Sequence, residues 1–158
     1  MKFGAVSLSD AQGGILAHSL RMETIHLKKG EVLTKAHLAA LAEAGLSQVV
    51  VARLEQGDVT EDEAAARVAE VIGGENLRID EAFTGRANLF ARCNGVLIAD
   101  PAQIDALNSV DEQVTLAALP HHRAVVEGEM VATVKVIPFA VPGSVVELSL
   151  IHISEPTR

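Results

Sequence analysis

The segment Thr84-Gly85-Arg86-Ala87-Asn88 carries the residue types in this chain that are best suited to bind a ligand. A glycine lets backbone N–H groups come close to a ligand. An arginine grips a phosphate or carboxylate with parallel hydrogen bonds, and an asparagine both donates and accepts. The combination predicts binding of a polar heterocycle that bears a phosphate. The alternative is a β-turn with an exposed arginine, and short motifs of this kind favour that plainer interpretation.

Lys135 is the second candidate ligand residue, because it interrupts the apolar stretch VATVKVIPF. Strand alternation predicts two faces: one with Val131, Thr133, Lys135 and Ile137, the other with Ala132, Val134 and Val136. A lysine in the middle of such a strand either points into a binding site or protects the edge of a sheet. Pro138 favours the edge, since proline is confined to edge strands and strand ends.

The remaining reactive side chains predict neither a metal site nor a nucleophile. His121 and His122 are adjacent, so a strand would place them on opposite faces. Cys93 is the single cysteine and lies beside a predicted Asn-Gly turn, with no second cysteine to form a redox or zinc motif. The acidic residues between Glu55 and Glu63 lack the EF-hand spacing and are expected at the start of a helix. No catalytic residue is assigned.

Composition excludes several classes of protein. Hydrophobic residues make up 49% and charged residues 22% of the 158 residues, which is the balance of a folded domain. A net charge of −8 and the absence of Trp and Tyr argue against nucleic-acid binding, which needs cations and stacking rings. No apolar run approaches the roughly 20 residues of a membrane span, and no secretion signal is visible. We therefore expect a cytoplasmic protein.

Local signals predict the elements of the first half. Thr34 suits the N-cap of a helix that ends at Gly45, and residues 46–54 read as a buried strand. Thr60 and Glu63 match a capping box, and the helix that they open ends at Gly73-Gly74.

The second half is predicted to be richer in strands. Short strands are expected at Arg86–Ala91, Val96–Ala99, Val114–Leu119 and Met130–Phe139, with a short helix that begins at Asp100-Pro101. The fold class predicted is α/β or α+β: a mixed sheet with two to three helices, a helix-richer first half and a strand-richer second half. Residues 1–148 are expected to form one domain, with a sub-boundary near 73–76.

The last ten residues, SLIHISEPTR from Ser149 to Arg158, do not continue the preceding pattern. The string looks like a translated sequencing adapter joined to an unfinished reading frame. Residues 1–148 are then the N-terminal piece of a longer protein, and residues 149–158 are expected to be structurally idle.

Five segments, taken in order, resemble one family: IxLKKGEVLTKAHLAALAEAG, ARLEQGDVTEDEAA, TGRANLFARCNGVLIAD, IDALN and MVATVKVIPFAVPG. Over residues 1–143 the chain resembles the N-terminal portion of bacterial molybdopterin-binding proteins related to molybdopterin molybdotransferase. In that family this region often precedes a molybdopterin-binding domain and, in many members, a nucleotidyltransferase domain. The order and spacing of the segments carry the resemblance.

The resemblance implies a role in molybdenum cofactor biosynthesis, in which a pterin is held during metal insertion or nucleotide attachment. Its implied cofactor is molybdopterin, with magnesium in the full-length protein. Its implied partners are the C-terminal molybdopterin-binding and nucleotidyltransferase domains, and a homodimer is also consistent with it. The family's Gly-rich phosphate loop has no counterpart here, so the fragment is expected to be inactive alone. The alternative is a non-enzymatic scaffold or dimerisation module that presents the cofactor to a partner enzyme.

Overall fold

The computed structural model describes residues 1–23 and 25–154. The chain divides into two compact units, Met1–Asp58 and Val59–Arg158. Each unit has its own cluster of buried aliphatic side chains. Helices and small antiparallel sheets occur together, so the predicted mixed α/β class is confirmed.

The first unit is built on a three-stranded antiparallel sheet. The long strand β5 lies in its centre, in the order β1-β5-β2, and buries Val49, Val51 and Ala52. A two-stranded hairpin, β3-β4, and the helix α1 complete the unit. The elements are β1 (Lys2–Ser7), β2 (Ile15–Leu16), β3 (Leu20–Arg21), β4 (His26–Leu27), α1 (Lys35–Glu43) and β5 (Gln48–Arg53).

Helix α1 begins and ends at the residues that the sequence indicates. The Thr34 hydroxyl accepts a hydrogen bond from the His37 N–H at 3.3 Å, and His37 Nδ1 accepts from the Thr34 N–H at 3.4 Å. This reciprocal pair satisfies two N–H groups that the helix leaves without partners. Gly45 follows the helix with φ 85°, a left-handed conformation that glycine adopts without a Cβ penalty.

The second unit is a four-stranded antiparallel sheet covered on one face by helices. Its strand order is β10-β12-β8-β7. Helix α2 packs on β8 and β12, and α4 packs against α2 and α3. The elements are β6 (Asp58–Thr60), α2 (Glu61–Ile72), β7 (Leu77–Ile79), β8 (Arg86–Ala91), β9 (Gly95–Val96), α3 (Pro101–Asn108), β10 (Val114–Ala118), β11 (Ala124–Val125), β12 (Met130–Val136), β13 (Ala140–Pro142) and α4 (Gly143–Ser154).

The outer strand β10 is bonded on its free side by one side chain. The Asn108 amide donates to the Leu116 carbonyl at 2.9 Å and accepts from the Leu116 N–H at 2.7 Å. A side-chain amide carries the same donor and acceptor as a peptide group. Asn108, the last residue of α3, therefore occupies the place of a neighbouring strand at this position.

Three details of the predicted fold differ from the structure. The two larger sheets are antiparallel rather than mixed, and most of their neighbouring strands are far apart in the chain: β5 pairs with β1 and β2, and β12 pairs with β8. The helices are divided evenly, with α1 and α2 in the first half and α3 and α4 in the second. The boundary between the two units in the sequence is at Asp58/Val59, whereas Gly73 and Gly74 lie inside the second unit, directly after α2.

None of the helices in the described ranges is long and apolar enough to cross a membrane.

Helix α4 includes part of the segment expected to be idle. Ser149 is fully buried, and its hydroxyl donates to the Val145 carbonyl at 2.9 Å. Leu150 is half-buried against the core of the second unit. Residues 149 and 150 therefore belong to a packed helix, while residues 155–158 lie outside the described ranges.

Candidate anion-binding face

The side of the four-stranded sheet that the helices leave open is polar. On β8 and β12 the core-facing side chains are buried aliphatics: Ala87, Leu89, Val134 and Val136. The alternate positions face the other way. There Arg86 lies opposite Lys135, and Asn88 lies opposite Thr133. We call these four residues, together with Thr115 on β10, the open face. It brings together three of the five predicted ligand residues.

Lys135 does not mark a sheet edge. Strand β12 lies between β10 and β8, so both of its sides are paired, and the edge interpretation is wrong. Pro138, which favoured it, falls after β12 ends at Val136. Because sequence alternation gives faces but not strand order, only the long-range pairing could place this lysine in the middle of the sheet.

One residue of β12 is on the opposite face from the one predicted. Val131 was grouped with Thr133 and Lys135, yet it is only 1% exposed and belongs to the core. The register against β8 shifts between Met130 and Ala132, which is a β-bulge. An extra residue at a bulge breaks strict alternation on one side of it. Val131 therefore turns inward while Thr133 and Lys135 keep their predicted face.

The two cations of the open face stand directly opposite each other. Arg86 and Lys135 are register partners, and both are exposed. Like charges at opposed positions repel. Neither cation has an ion pair with any described residue, although the second unit carries fifteen Asp and Glu against seven Lys and Arg. A doubly charged anion between them would relieve the repulsion and accept hydrogen bonds from both.

Asn88 adds a neutral donor beside the cations, while the neighbouring hydroxyls of Thr133 and Thr115 donate within the sheet. Asn88 Oδ1 accepts a hydrogen bond from the Thr133 hydroxyl at 2.8 Å. With its oxygen used in this way, the amide N–H groups of Asn88 remain as donors for a ligand. The Thr115 hydroxyl is held at 3.3 Å from the Lys135 carbonyl. The open face thus offers two cations and one amide on the adjacent strands β8 and β12.

Thr84 and Gly85 form a β-turn followed by an exposed arginine, as the alternative interpretation of this segment predicted. They form a two-residue hairpin turn with φ 50° and 69°, the left-handed pattern of a type I′ turn. The Gly85 N–H, expected to approach a ligand, instead donates to Asp62 Oδ1 at 2.7 Å. Its carbonyl accepts from the Val136 N–H at 2.7 Å. This turn holds Arg86 at the start of β8 and leaves Thr84 exposed.

The other reactive residues stay apart from the open face. His121 Nδ1 accepts from the Ala99 N–H at 3.2 Å, and its ring lies 3.7 Å from that of His122. Cys93 is exposed, just before the Asn94-Gly95 turn. Across the described ranges, no group of three or more His, Cys, Asp or Glu is arranged to hold a metal ion.

A charge cluster at the N-terminus of the first unit escaped the sequence analysis. The Met1 ammonium lies 2.7 Å from Asp58 and 3.2 Å from Glu55, and Lys2 lies 3.1 Å from Glu55. The hydrogen bond to Asp58 raises the pKa of the Met1 amine. The same bond lowers the pKa of Asp58, and the bond from Lys2 lowers the pKa of Glu55. The sequence pattern alone predicts for residues 55 and 58 only the approach to a helix.

Comparison with known proteins gives one match. A family model described as "Domain of unknown function (DUF8806)" matches residues 5–53. The match lies within the first unit and covers less than half of the chain. No curated protein and no solved structure matches the chain. The description names no activity, so the molybdopterin resemblance stays a prediction.

Proposed function

We propose that this chain is an N-terminal module of a molybdopterin-binding protein that assists metal insertion or nucleotide attachment during molybdenum cofactor biosynthesis. Its part in that process is to hold the phosphate end of the pterin on the open face. The single observation that carries the proposal is the pair Arg86 and Lys135, opposed on adjacent strands and without a carboxylate partner in the described chain. We assign this work to the cytoplasm.

The chemistry of the face fits a phosphate monoester better than a carboxylate. A phosphate carries close to two charges at neutral pH and three acceptor oxygens. The Arg86 guanidinium supplies a planar fork, and the Lys135 ammonium supplies a point charge. The Asn88 amide adds a neutral donor on the same strand as Arg86. These groups bind and orient a ligand, and none of them is placed to transfer a metal or a nucleotide.

Transfer itself needs groups that this module does not provide. Metal insertion and nucleotide attachment both move charge at a metal or phosphate centre, which requires preorganised donors or a bound cation. We propose that the C-terminal pterin-binding and nucleotidyltransferase domains, with magnesium, supply them. The purified chain incubated with pterin, magnesium and CTP or GTP should release no pyrophosphate above background.

Arg86→Ala tests the binding proposal directly. Loss of a charged hydrogen bond should weaken binding of a phosphate-bearing pterin by about 1.5–3 kcal/mol, nearer the lower value because Arg86 is exposed. Lys135→Ala should weaken it in the same direction. Isothermal titration with the pterin phosphate, and with the same pterin lacking its phosphate, separates charge recognition from ring recognition.

Arg78→Ala is the matched control for these variants. Arg78 lies on β7 of the same sheet and has the same charge, but it is already paired with Asp80 and stacks 4.6 Å over the Phe90 ring. Its removal should leave pterin affinity unchanged. Equal affinity of wild type, Arg86→Ala and Arg78→Ala would remove the open face from the binding site.

The scaffold alternative also has an observation in its favour. Several large apolar side chains of the second unit remain exposed, among them Phe83 at 75% and Ile98 at 71%. Exposed apolar groups concentrated in one unit are typical of an interaction module. In that case the chain should bind a partner enzyme with unchanged affinity when Arg86 and Lys135 are both alanine, which a pull-down with the purified partner would measure.

A further inference from the structure

A continuous groove crosses the second unit, away from the open face; its first part is lined mainly by aliphatic side chains and its second part by aliphatic and polar residues. Two cavities, of about 250 Å³ and about 430 Å³, form it. They are one groove because they share five lining residues: Ile72, Leu77, Leu97, Ile98 and Val131. One wall is the segment 95–99, and the other is the chain from the end of α2 to the start of β7.

The segment 95–98 presents an unpaired strand edge. On one side Gly95 and Val96 pair with β11. Leu97 bonds the two residues before β11: its N–H donates to the Arg123 carbonyl, and its carbonyl accepts from the His122 N–H, both at 2.8 Å. In an antiparallel ladder the backbone groups of alternate residues point to opposite sides. The N–H and C=O groups of Val96 therefore point away from β11. Ile98 lies beyond the end of β9, and its N–H and C=O groups have no hydrogen bond to any described residue.

The side chains along this edge are apolar and uncovered. Val96 is 58% exposed and Ile98 is 71% exposed, while Leu97 between them is buried. A strand edge that is both unpaired and apolar is the feature that proteins normally cover or protect. Across the groove, in contrast, the carbonyl of Leu77 is bonded to Arg92 Nε at 2.8 Å.

The charges that line the groove all have one sign. Asp100 lines the first cavity and Glu75 lines the second, and no Lys or Arg among the described residues lines either of them. Glu75 is exposed and has no ion pair with the described residues. Because the two carboxylates belong to different cavities, they mark the two parts of the groove. An occupant with a basic residue toward each end would complement them.

We propose that this groove binds an extended segment of a partner protein, which adds as a strand to the 96–98 edge. Its backbone pairs with Val96 and Ile98, its alternate apolar side chains enter the two cavities, and basic residues at its ends meet Glu75 and Asp100. Strand addition of this kind takes affinity from backbone hydrogen bonds and selectivity from side-chain pockets. The site is independent of the pterin proposal.

A synthetic peptide tests the groove with the whole chain in solution. The probe is fluorescein-labelled Lys-Val-Thr-Ile-Thr-Val-Lys, followed by anisotropy, with a second probe in which both lysines are glutamates. The chain should bind the lysine peptide saturably, and its affinity for the glutamate peptide should be lower by at least about five-fold. Glu75→Lys should remove most of this preference, because the groove then carries one charge of each sign. Glu112→Lys makes the same charge change at an exposed residue that lines neither cavity, and it should change nothing.

Backbone pairing is tested with two N-methylated versions of the lysine peptide, one methylated on its odd-numbered amides and the other on its even-numbered amides. Only the version whose methylated amides face the 96–98 edge should fail to bind, because only those N–H groups pair with the edge. Ile98→Glu should weaken the lysine peptide about ten-fold without changing the melting temperature, since that side chain is already exposed. Equal binding of both methylated peptides, or no effect of Glu75→Lys, would overturn the proposal. A wild-type dimer that Ile98→Glu converts to a monomer would also overturn the proposal, because the occupant of the groove would then be a second copy of this chain.

Discussion

The two units of the chain treat their charges differently. The first unit has six Lys and Arg against six Asp and Glu, and its N-terminal ammonium and Lys2 are neutralised by Glu55 and Asp58. The second unit holds the entire surplus of −8. Despite that surplus, Arg86 and Lys135 stay without a carboxylate in the described chain, whereas Arg67, Arg78 and Arg123 each have one.

This contrast separates charges that hold the fold from charges that are available to a ligand. In an acidic unit, a cation has many nearby candidates for pairing, and surface pairs form at small cost. Two adjacent cations without partners are therefore the informative exception. The first unit offers no such exception at its N-terminus, where each charge meets its opposite.

Gly85→Ala should have the largest effect, because it removes the turn that positions the open face. A Cβ there would lie 2.5 Å from the Val136 carbonyl oxygen, at φ 69°. Left-handed strain and the backbone clash together should destabilise the second unit by about 2–4 kcal/mol. Hydrogen exchange measured by mass spectrometry should report the loss in β8 and β12 and leave the first unit unchanged.

Gly128→Ala is the control for that experiment. Gly128 has φ 82°, but nothing lies within 4 Å of its added Cβ. It should therefore show only the left-handed penalty, about 1 kcal/mol. If the two variants were equally stable, the close contact of Gly85 with β12 would contribute nothing to the second unit.

Truncation distinguishes the packed part of α4 from the rest of the tail. Removing residues 149–158 deletes the buried Ser149 and the half-buried Leu150, which should cost about 1 kcal/mol and lower the melting temperature by several degrees. On the sequence expectation that the tail is idle, removing residues 155–158 alone should leave the melting temperature unchanged. Identical melting temperatures for both truncations would support the sequence expectation that the whole tail is idle.

Asp58→Asn should have the smallest effect, confined to the first unit and dependent on pH. The raised pKa of the Met1 amine gives stability that is present below its unfolded value of 8.0 and is lost as pH rises through the folded value. The lowered pKa values of Asp58 and Glu55 give stability that is present above 3.8 and 4.5 and is lost as pH falls. The variant should thus differ most from wild type between about pH 5 and 8.

Urea unfolding at pH 3, 6.5 and 10, followed by hydrogen exchange over residues 1–58, would measure this dependence. Glu43→Gln, at an exposed residue of α1 without an ion pair to the described residues, is the control. A difference between Asp58→Asn and wild type that stays constant across these three pH values would contradict the assigned charge cluster.

Local signals predicted three of the four helices and the longer strands of the second half, but they missed α4 and predicted at Val96–Ala99 a strand that the structure has at Gly95–Val96. Thr34, Thr60 and Asp100 each cap the helix that the sequence indicated, and β8 has the predicted bounds Arg86–Ala91. Capping and alternation depend on residues within one turn or one strand, so they are visible in sequence. The central position of β12, the bulge beside Val131 and the role of the Gly85 N–H depend on residues far apart in the chain.

The Asn108 amide that occupies the outer side of β10 has a consequence for solubility. An uncovered outer strand is a template on which a second molecule can extend the sheet, and repeated extension leads to fibrils. By bonding both backbone groups of Leu116, Asn108 removes the central docking point from that strand. The Asn108 side chain, at the end of α3, thus prevents a strand of a second molecule from pairing with β10 at Leu116.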